Sequence, residues 1–159
     1  MEEKITSFIQ HYLSEITHTS FSKKEIKKFV LPILYNVFNN KFNKILISGS
    51  QGIGKTSYLK LIEKVGLRFF NIRVLSLSLD NFYLDKSERE TLGKNIHPLL
   101  QTRGVPGTHD IKLLKSIIYQ FNNSKYPINL PIFDKLTDRR KKIIKKISKK
   151  CDLLILEGW

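Results

Sequence analysis

The sequence predicts an α/β fold, a parallel sheet flanked by helices in three layers behind an N-terminal helical extension, and three observations carry that prediction. The octapeptide Gly49-Ser50-Gln51-Gly52-Ile53-Gly54-Lys55-Thr56 fits the phosphate-binding pattern G-x-x-x-x-G-K-[ST] at every fixed position. An apolar run precedes it and an amphipathic run follows, which is the strand, loop, helix order that such a P-loop needs. Two further apolar runs, over 72–79 and 153–156, each lead into an acid, Asp80 and Glu157.

Composition narrows the class. A chain of 159 residues, 41% hydrophobic and 11% aromatic, is large enough for one folded domain with a real core. Cys151 is the single cysteine, so no internal disulfide can form, and the residue reads as a small buried side chain in a reducing compartment. The start, Met1-Glu2-Glu3-Lys4, is acidic and opens an amphipathic pattern rather than a signal core, and no apolar run approaches the roughly 18 residues of a membrane span. The reading is therefore cytoplasmic, with no membrane partner. Lys and Arg total 28 against 14 acids, a net +14 that suits either a nucleic-acid partner or the steering of small anionic substrates. In a chain so rich in Ile, Asn and Lys, part of that excess is compositional, and nucleic acid is the less favoured partner. Nothing in the sequence specifies an oligomeric state.

In chain order, Ile5, Phe8, Ile9, Tyr12, Leu13 and Ile16 recur at helical spacing and predict a helix over 2–17. Ser22 with Glu25 has the form of a capping box for a second helix, whose apolar face runs from Ile26 to Phe38 and which Pro32 should bend or break. Residues 1–42 thus form a helical extension, expected to pack on a core over 43–159. Lys44–Ser48 predicts a buried strand, and 57–65 a helix closed by Gly66. In the P-loop, glycines let successive N–H groups turn inward around phosphates, and the dipole of the next helix adds positive potential. Gly49, Ser50, Gln51, Gly52, Ile53 and Gly54 supply that cradle, Lys55 neutralises the terminal phosphates, and the Thr56 hydroxyl is placed to hold Mg²⁺. A nucleoside triphosphate and Mg²⁺ are the expected ligands.

The strand over 72–79 ends at Asp80, and because ligands of open α/β sheets sit outside the carboxyl ends of strands, Asp80 is expected near the bound phosphates. A short helical turn at 86–90 and a long, function-bearing loop follow to Asp110. Thr108 or Asp110 caps a helix with the face Ile111, Leu114, Ile117, Ile118 and Phe121. Residues 126–134 read as extended but, with Pro127 and Pro131, poorly suited to a central strand. Asp138 is expected to start a basic helix over 139–150, more simply a solvated outer face than a nucleic-acid footprint. The run 152–158 reads as a buried strand whose Glu157 sits in the pattern that puts a carboxylate beside the P-loop Mg²⁺, and as the strand lying between the other two.

Several stretches together resemble the D-glycerate 3-kinase group of the P-loop kinases, whose wider set includes phosphoribulokinase, uridine kinase and bacterial pantothenate kinase. They are the P-loop, Ser78-Leu79-Asp80-Asn81-Phe82-Tyr83-Leu84, His97-Pro98-Leu99-Leu100, Thr102-Arg103-Gly104-Val105-Pro106-Gly107-Thr108-His109-Asp110, Phe133-Asp134-Lys135 and Leu156-Glu157-Gly158-Trp159. The resemblance implies transfer of the ATP γ-phosphoryl to a hydroxyl of D-glycerate, with Asp80 as catalytic base, Lys55 and Glu157 as the other catalytic residues, and Thr56 and Glu157 at the metal. It implies Arg103 on the substrate carboxylate, with Thr108, His109 and Asp134 shaping the acceptor pocket. Two departures stand out: Asn81 replaces a second family aspartate, and the related kinases continue past their Glu-Gly-Trp segment, so a truncated core is expected. Alternatives are a P-loop kinase for another small hydroxyl compound, a nucleic-acid-associated P-loop ATPase, or a non-catalytic nucleotide-binding module.

Overall fold

The computed structural model describes residues 1–158; the predicted role of Trp159 in the Glu-Gly-Trp segment lies outside them. Helix α1 (Glu2–Thr17) carries two acids in its first turn, favourable to its dipole, and ends at His18 in the left-handed region. Helix α2 (Lys23–Glu25) starts with the predicted capping box, Ser22 accepting from the Glu25 N–H while the Glu25 carboxylate accepts from Ser22. It runs through a π-helical turn (Ile26–Val30) into α3 (Leu31–Asn39). Pro32 explains that turn: it has no N–H to give the carbonyl four residues back, and the wider turn sits just before it, with the Leu31 N–H reaching Ile26 O.

Strand β1 (Lys44–Ser48) leads through the P-loop to α4 (Lys55–Val65), which starts two residues earlier than the apolar pattern alone predicts. Gly66 does not close α4. Its φ is −55°, and the chain continues through a π-helical turn (Gly66–Phe70) to Asn71, which takes the left-handed, helix-ending conformation at φ 54°. Glycine is needed at 66 for space: a Cβ there would lie 2.9 Å from a Phe38 ring carbon and 3.0 Å from Ile72 O. Strand β2 (Val74–Ser78) is shorter than predicted because Leu79–Phe82 winds into a 3₁₀ turn. Helix α5 (Lys86–Asn95) replaces the expected short turn, held at its start by an Asp85/Glu88 capping box. A 3₁₀ turn (Pro98–Gln101), α6 (Ile111–Asn122), β3 (Ile128–Leu130), β4 (Phe133–Asp134), β5 (Arg139–Arg140), β6 (Lys145–Ile147) and β7 (Leu153–Gly158) follow.

The basic helix expected after Asp138 is absent. In its place β5 pairs antiparallel with β4, and β6 with β3, setting Ile147 opposite Ile128. The Ile143, Ile144, Ile147 spacing that suggested a helical stripe instead leaves Ile143 and Ile144 exposed and sends Ile147 to a strand. The helical face that offered a nucleic-acid footprint goes with it.

The chain divides into two compact units, Met1–Ser76 with the segment from Cys151, and Leu77–Lys150, the boundary falling within β2. The principal sheet has the order β1-β7-β2, so the strand bearing Glu157 lies between the other two as its sequence predicts. In the first unit Ile5, Ile9 and Leu13 of α1, Leu34 and Phe38 of α3, and Leu61, Ile62 and Val65 of α4 close over Leu153 and Ile155 of β7. Each such side chain contributes about 1.5–3 kcal/mol by leaving water, so the N-terminal helices are part of the packing that holds the P-loop strand. In the second unit Leu114, Ile117 and Phe121 of α6, Ile128 and Leu130 of β3, and Phe82, Tyr83 and Phe133 are buried.

Candidate functional site

In the first unit β1 ends at Ser48 and the loop that follows enters α4 with Gly54 as its N-cap. Gly52 and Gly54 hold φ of 85° and 86°, and a Cβ at either would meet nothing within 4 Å, so the requirement for glycine is conformational. No side chain caps the first turn of α4, which leaves its N–H groups to a ligand. Lys55 Nζ bends back over the loop and donates to Gly49 O at 2.7 Å and Ser50 O at 2.8 Å. Phosphate oxygens offer that ammonium stronger, charged acceptors. Thr56 follows in the same turn with an exposed side chain, and Gln51 and Ile53 are exposed on the loop.

Glu157 joins this group through the sheet. The parallel register sets it opposite Ile47 and sets Gly158 opposite Ser48, the last residue before the loop, and Glu157 is buried at 5% exposure. An exposed hydroxyl on the first helical turn and a buried carboxylate at the loop end of the adjacent strand are hard oxygen donors of the kind Mg²⁺ takes. The residues present therefore fit a nucleotide phosphate with its metal.

The second unit gathers Asp80, Arg103, Thr108, His109 and Asp134. Asp80, on the 3₁₀ turn after β2, accepts from Lys135 Nζ at 2.6 Å. Its neighbour Asn81 is spent on structure, accepting from the Phe133 N–H at 3.1 Å. The loop carrying Arg103 turns at Gly104 and Gly107, both in the left-handed region. Thr108 is fully buried, with its hydroxyl donating to Val105 O at 2.6 Å and its carbonyl accepting from Leu84 N–H at 2.9 Å. His109 stacks on the Tyr83 ring at 4.2 Å, and Tyr83 packs edge-on against Phe133. Burial pushes the His109 imidazole below its ordinary range, partly opposed by the Asp80 carboxylate, and so favours the neutral ring. Asp134 accepts from the Leu136 N–H at 3.0 Å, and that bond holds its carboxyl below the usual range.

Three residues of this unit carry weight that sequence reading did not assign. Arg89 is only 2% exposed; it donates to Leu84 O at 3.1 Å and Gln101 O at 2.7 Å and pairs with Asp138 at 2.5 Å. Asp138, held in the left-handed region, also faces Arg103 Nε at 3.3 Å. Arg140 donates to Tyr83 O at 3.0 Å and to Asp110 at 2.9 Å, while its N–H reaches Asp85 at 2.7 Å. Asp110 in turn caps α6 through the Leu113 N–H. The Asp85-x-x-Glu88 spacing was a signal for the α5 cap; no local pattern announces the long-range pairs.

No protein-family model matches the chain. It is 37% identical over 131 residues to the probable ATP-dependent kinase TDA10 of Saccharomyces cerevisiae, an alignment covering 72% of this chain and 44% of that one. Pantothenate kinase of Bacillus subtilis aligns at 25% identity over 113 residues, covering 70% of this chain and 34% of the enzyme. Among solved structures, the YGR205w protein superposes with a TM-score of 0.66 at 29% identity, covering 95% of this chain and 53% of that one. D-glycerate 3-kinase from Cryptococcus neoformans shares the fold, with a TM-score of 0.65 at 24% identity, covering all of this chain and 52% of the other. The chain thus spans about half the length of these structures and less than half of the curated relatives.

Proposed function

The chain belongs to the P-loop kinase superfamily of phosphoribulokinase, uridine kinase and pantothenate kinase, and from that premise we propose that it transfers the γ-phosphoryl of ATP to a hydroxyl of a small acid, D-glycerate first among them. The observations that carry the reading are a phosphate cradle with Lys55 over it and a carboxylate, Asp80, that accepts from the Lys135 ammonium.

In this reading Gly49 to Gly54 and the first turn of α4 bind the nucleotide phosphates through backbone N–H groups, and Lys55 leaves its loop carbonyls for the phosphate oxygens. Thr56 and Glu157 would hold Mg²⁺, which would neutralise phosphate charge when bound. Asp80 accepts the acceptor's hydroxyl proton as that oxygen forms a bond to the γ-phosphorus and the bond to the bridging oxygen of ADP breaks. Lys135 orients the Asp80 carboxylate. Arg103 takes the acid's carboxylate through parallel N–H bonds, the feature that favours an acid over a neutral alcohol. Neutral His109 on Tyr83, with Thr108 and Asp134 bracing the loops behind it, shapes the acceptor pocket.

A panel of D-glycerate, pantothenate and uridine, read as acceptor-dependent ADP release, tests the assignment. D-glycerate should give the largest kcat/KM, and a higher value for pantothenate or uridine would transfer the proposal to that acceptor.

A further inference from the structure

Arg103 is not presented by its own loop alone. Its guanidinium has five N–H groups, and the protein engages two sides of it: Nε faces Asp138 Oδ1 at 3.3 Å, and Nη1 donates to Lys135 O at 3.3 Å. The plane also lies near the Phe133 ring, 5.7 Å from the carbon to the centroid. Among the described residues Nη2 and the second N–H of Nη1 have no partner, and that end-on pair is the fork that grips a carboxylate.

What fixes Asp138 is Arg89. This guanidinium, 2% exposed, is tied to Leu84 O and Gln101 O, and its Nη2 meets Asp138 Oδ2 at 2.5 Å. A buried arginine needs a counter-charge, so the Asp138 carboxylate is bound to it before it can serve anything else. Asp138 also takes a left-handed backbone conformation, φ 57°, which directs the chain out of β4 and back along β5. The outcome is a chain of three charges, Arg89 to Asp138 to Arg103, anchored at its buried end and open at the other.

We propose that Arg89 and Asp138 are positioning residues that preset the Arg103 fork for an anionic acceptor, making the site selective for acids. The proposal rests on the assignment of Arg103 to the acceptor carboxylate. Asp138 carries no reacting atom; it holds the guanidinium in one plane so that little side-chain freedom is lost when the acid binds. A simple brace for the loop fold would require the Arg89 contacts but would be indifferent to how Arg103 is turned.

The test combines two readouts on the full chain. Calorimetric titration with D-glycerate should give about tenfold weaker binding in Asp138→Asn and at least as large a loss in Arg103→Ala, each the loss of one charge-assisted contact. The double variant should be no weaker than Arg103→Ala alone, because the second residue acts through the first. In arginine-selective NMR, the Arg103 Nε resonance should move in Asp138→Asn, because the carboxylate charge 3.3 Å away is lost. Since Asp138→Asn leaves Arg89 buried without a counter-charge, a paired Arg89→Met/Asp138→Asn variant removes both charges and should fold with the same weakened binding. Wild-type affinity in that folded pair, multiplicative losses in the double variant, or an unmoved Arg103 Nε resonance would overturn the positioning role while leaving Arg103 at the acceptor. Wild-type affinity in Arg103→Ala, or no acid binding by the wild-type chain, would overturn the acceptor assignment and the inference with it.

Discussion

Asp110 gives a prediction whose size follows from its two bonds. One carboxylate oxygen accepts from the Leu113 N–H at 2.9 Å and caps α6, and the other accepts from Arg140 Nη2 at 2.9 Å. Asp110→Ala removes both. A lost N-cap costs about 1 kcal/mol. The charged bond is worth roughly 1–2 kcal/mol, the lower part of the range for charged partners, because both side chains are about a quarter exposed and solvent screens them. Asp110→Asn keeps an oxygen for the cap but turns an amide donor toward the guanidinium, so only the second cost applies. With a urea slope of about 2 kcal/mol/M, Asp110→Ala should lower the unfolding midpoint by about 1–1.5 M and Asp110→Asn by about half of that. Far-ultraviolet circular dichroism during urea unfolding measures both. Equal shifts for the two variants would show that the cap contributes nothing, and shifts below about 0.2 M would refute the two-bond account.

Three further outcomes are expected. Lys55→Ala should weaken ATP binding by at least tenfold, about the worth of one charged contact, in a fluorescent-nucleotide titration; unchanged affinity would separate the loop from nucleotide. His109 has a folded-state pKa below its ordinary 6.5, so the unfolded chain binds the proton first as pH falls. Its contribution is complete above pH 6.5 and is lost as pH drops through the lowered folded value; urea midpoints in His109→Gln should lose that part of the pH dependence, and an unaltered profile would contradict it. The Tyr58 hydroxyl is buried with no hydrogen-bond partner among the described residues, and burial pushes its ionisation upward. Tyr58→Phe should therefore leave stability unchanged or raise it by about 1 kcal/mol, and a loss of that size would reveal a bonded hydroxyl.

How far the sequence could be read depended on how local each determinant was. The P-loop turn, the Ser22 capping box and the face of α6 are set by residues within a few positions of one another, and each appears where its pattern put it. The central place of β7 was also legible, because a run as apolar as 153–156 must be covered on both faces. Gly66 misled because a glycine near a helix end resembles a terminator, whereas close approach of the Phe38 ring is what requires it. The segment 139–150 misled for a related reason: its isoleucines fit a helical stripe, but Ile128 and Leu130 offered β6 a strand to pair with. Propensity yielded to tertiary pairing there. Arg89 and Asp138 lie far apart in sequence, and no spacing rule links them to Arg103.

Phosphoryl transfer by this chain is the claim on which the functional account rests, and phosphorus NMR of the protein with ATP, Mg²⁺ and D-glycerate measures it directly. The account predicts a phosphomonoester resonance of 3-phosphoglycerate growing in step with ADP, abolished by Asp80→Asn and by Lys55→Ala. ADP and inorganic phosphate forming at the same rate with and without the acid, or ATP cleavage that only nucleic acid accelerates, would contradict it.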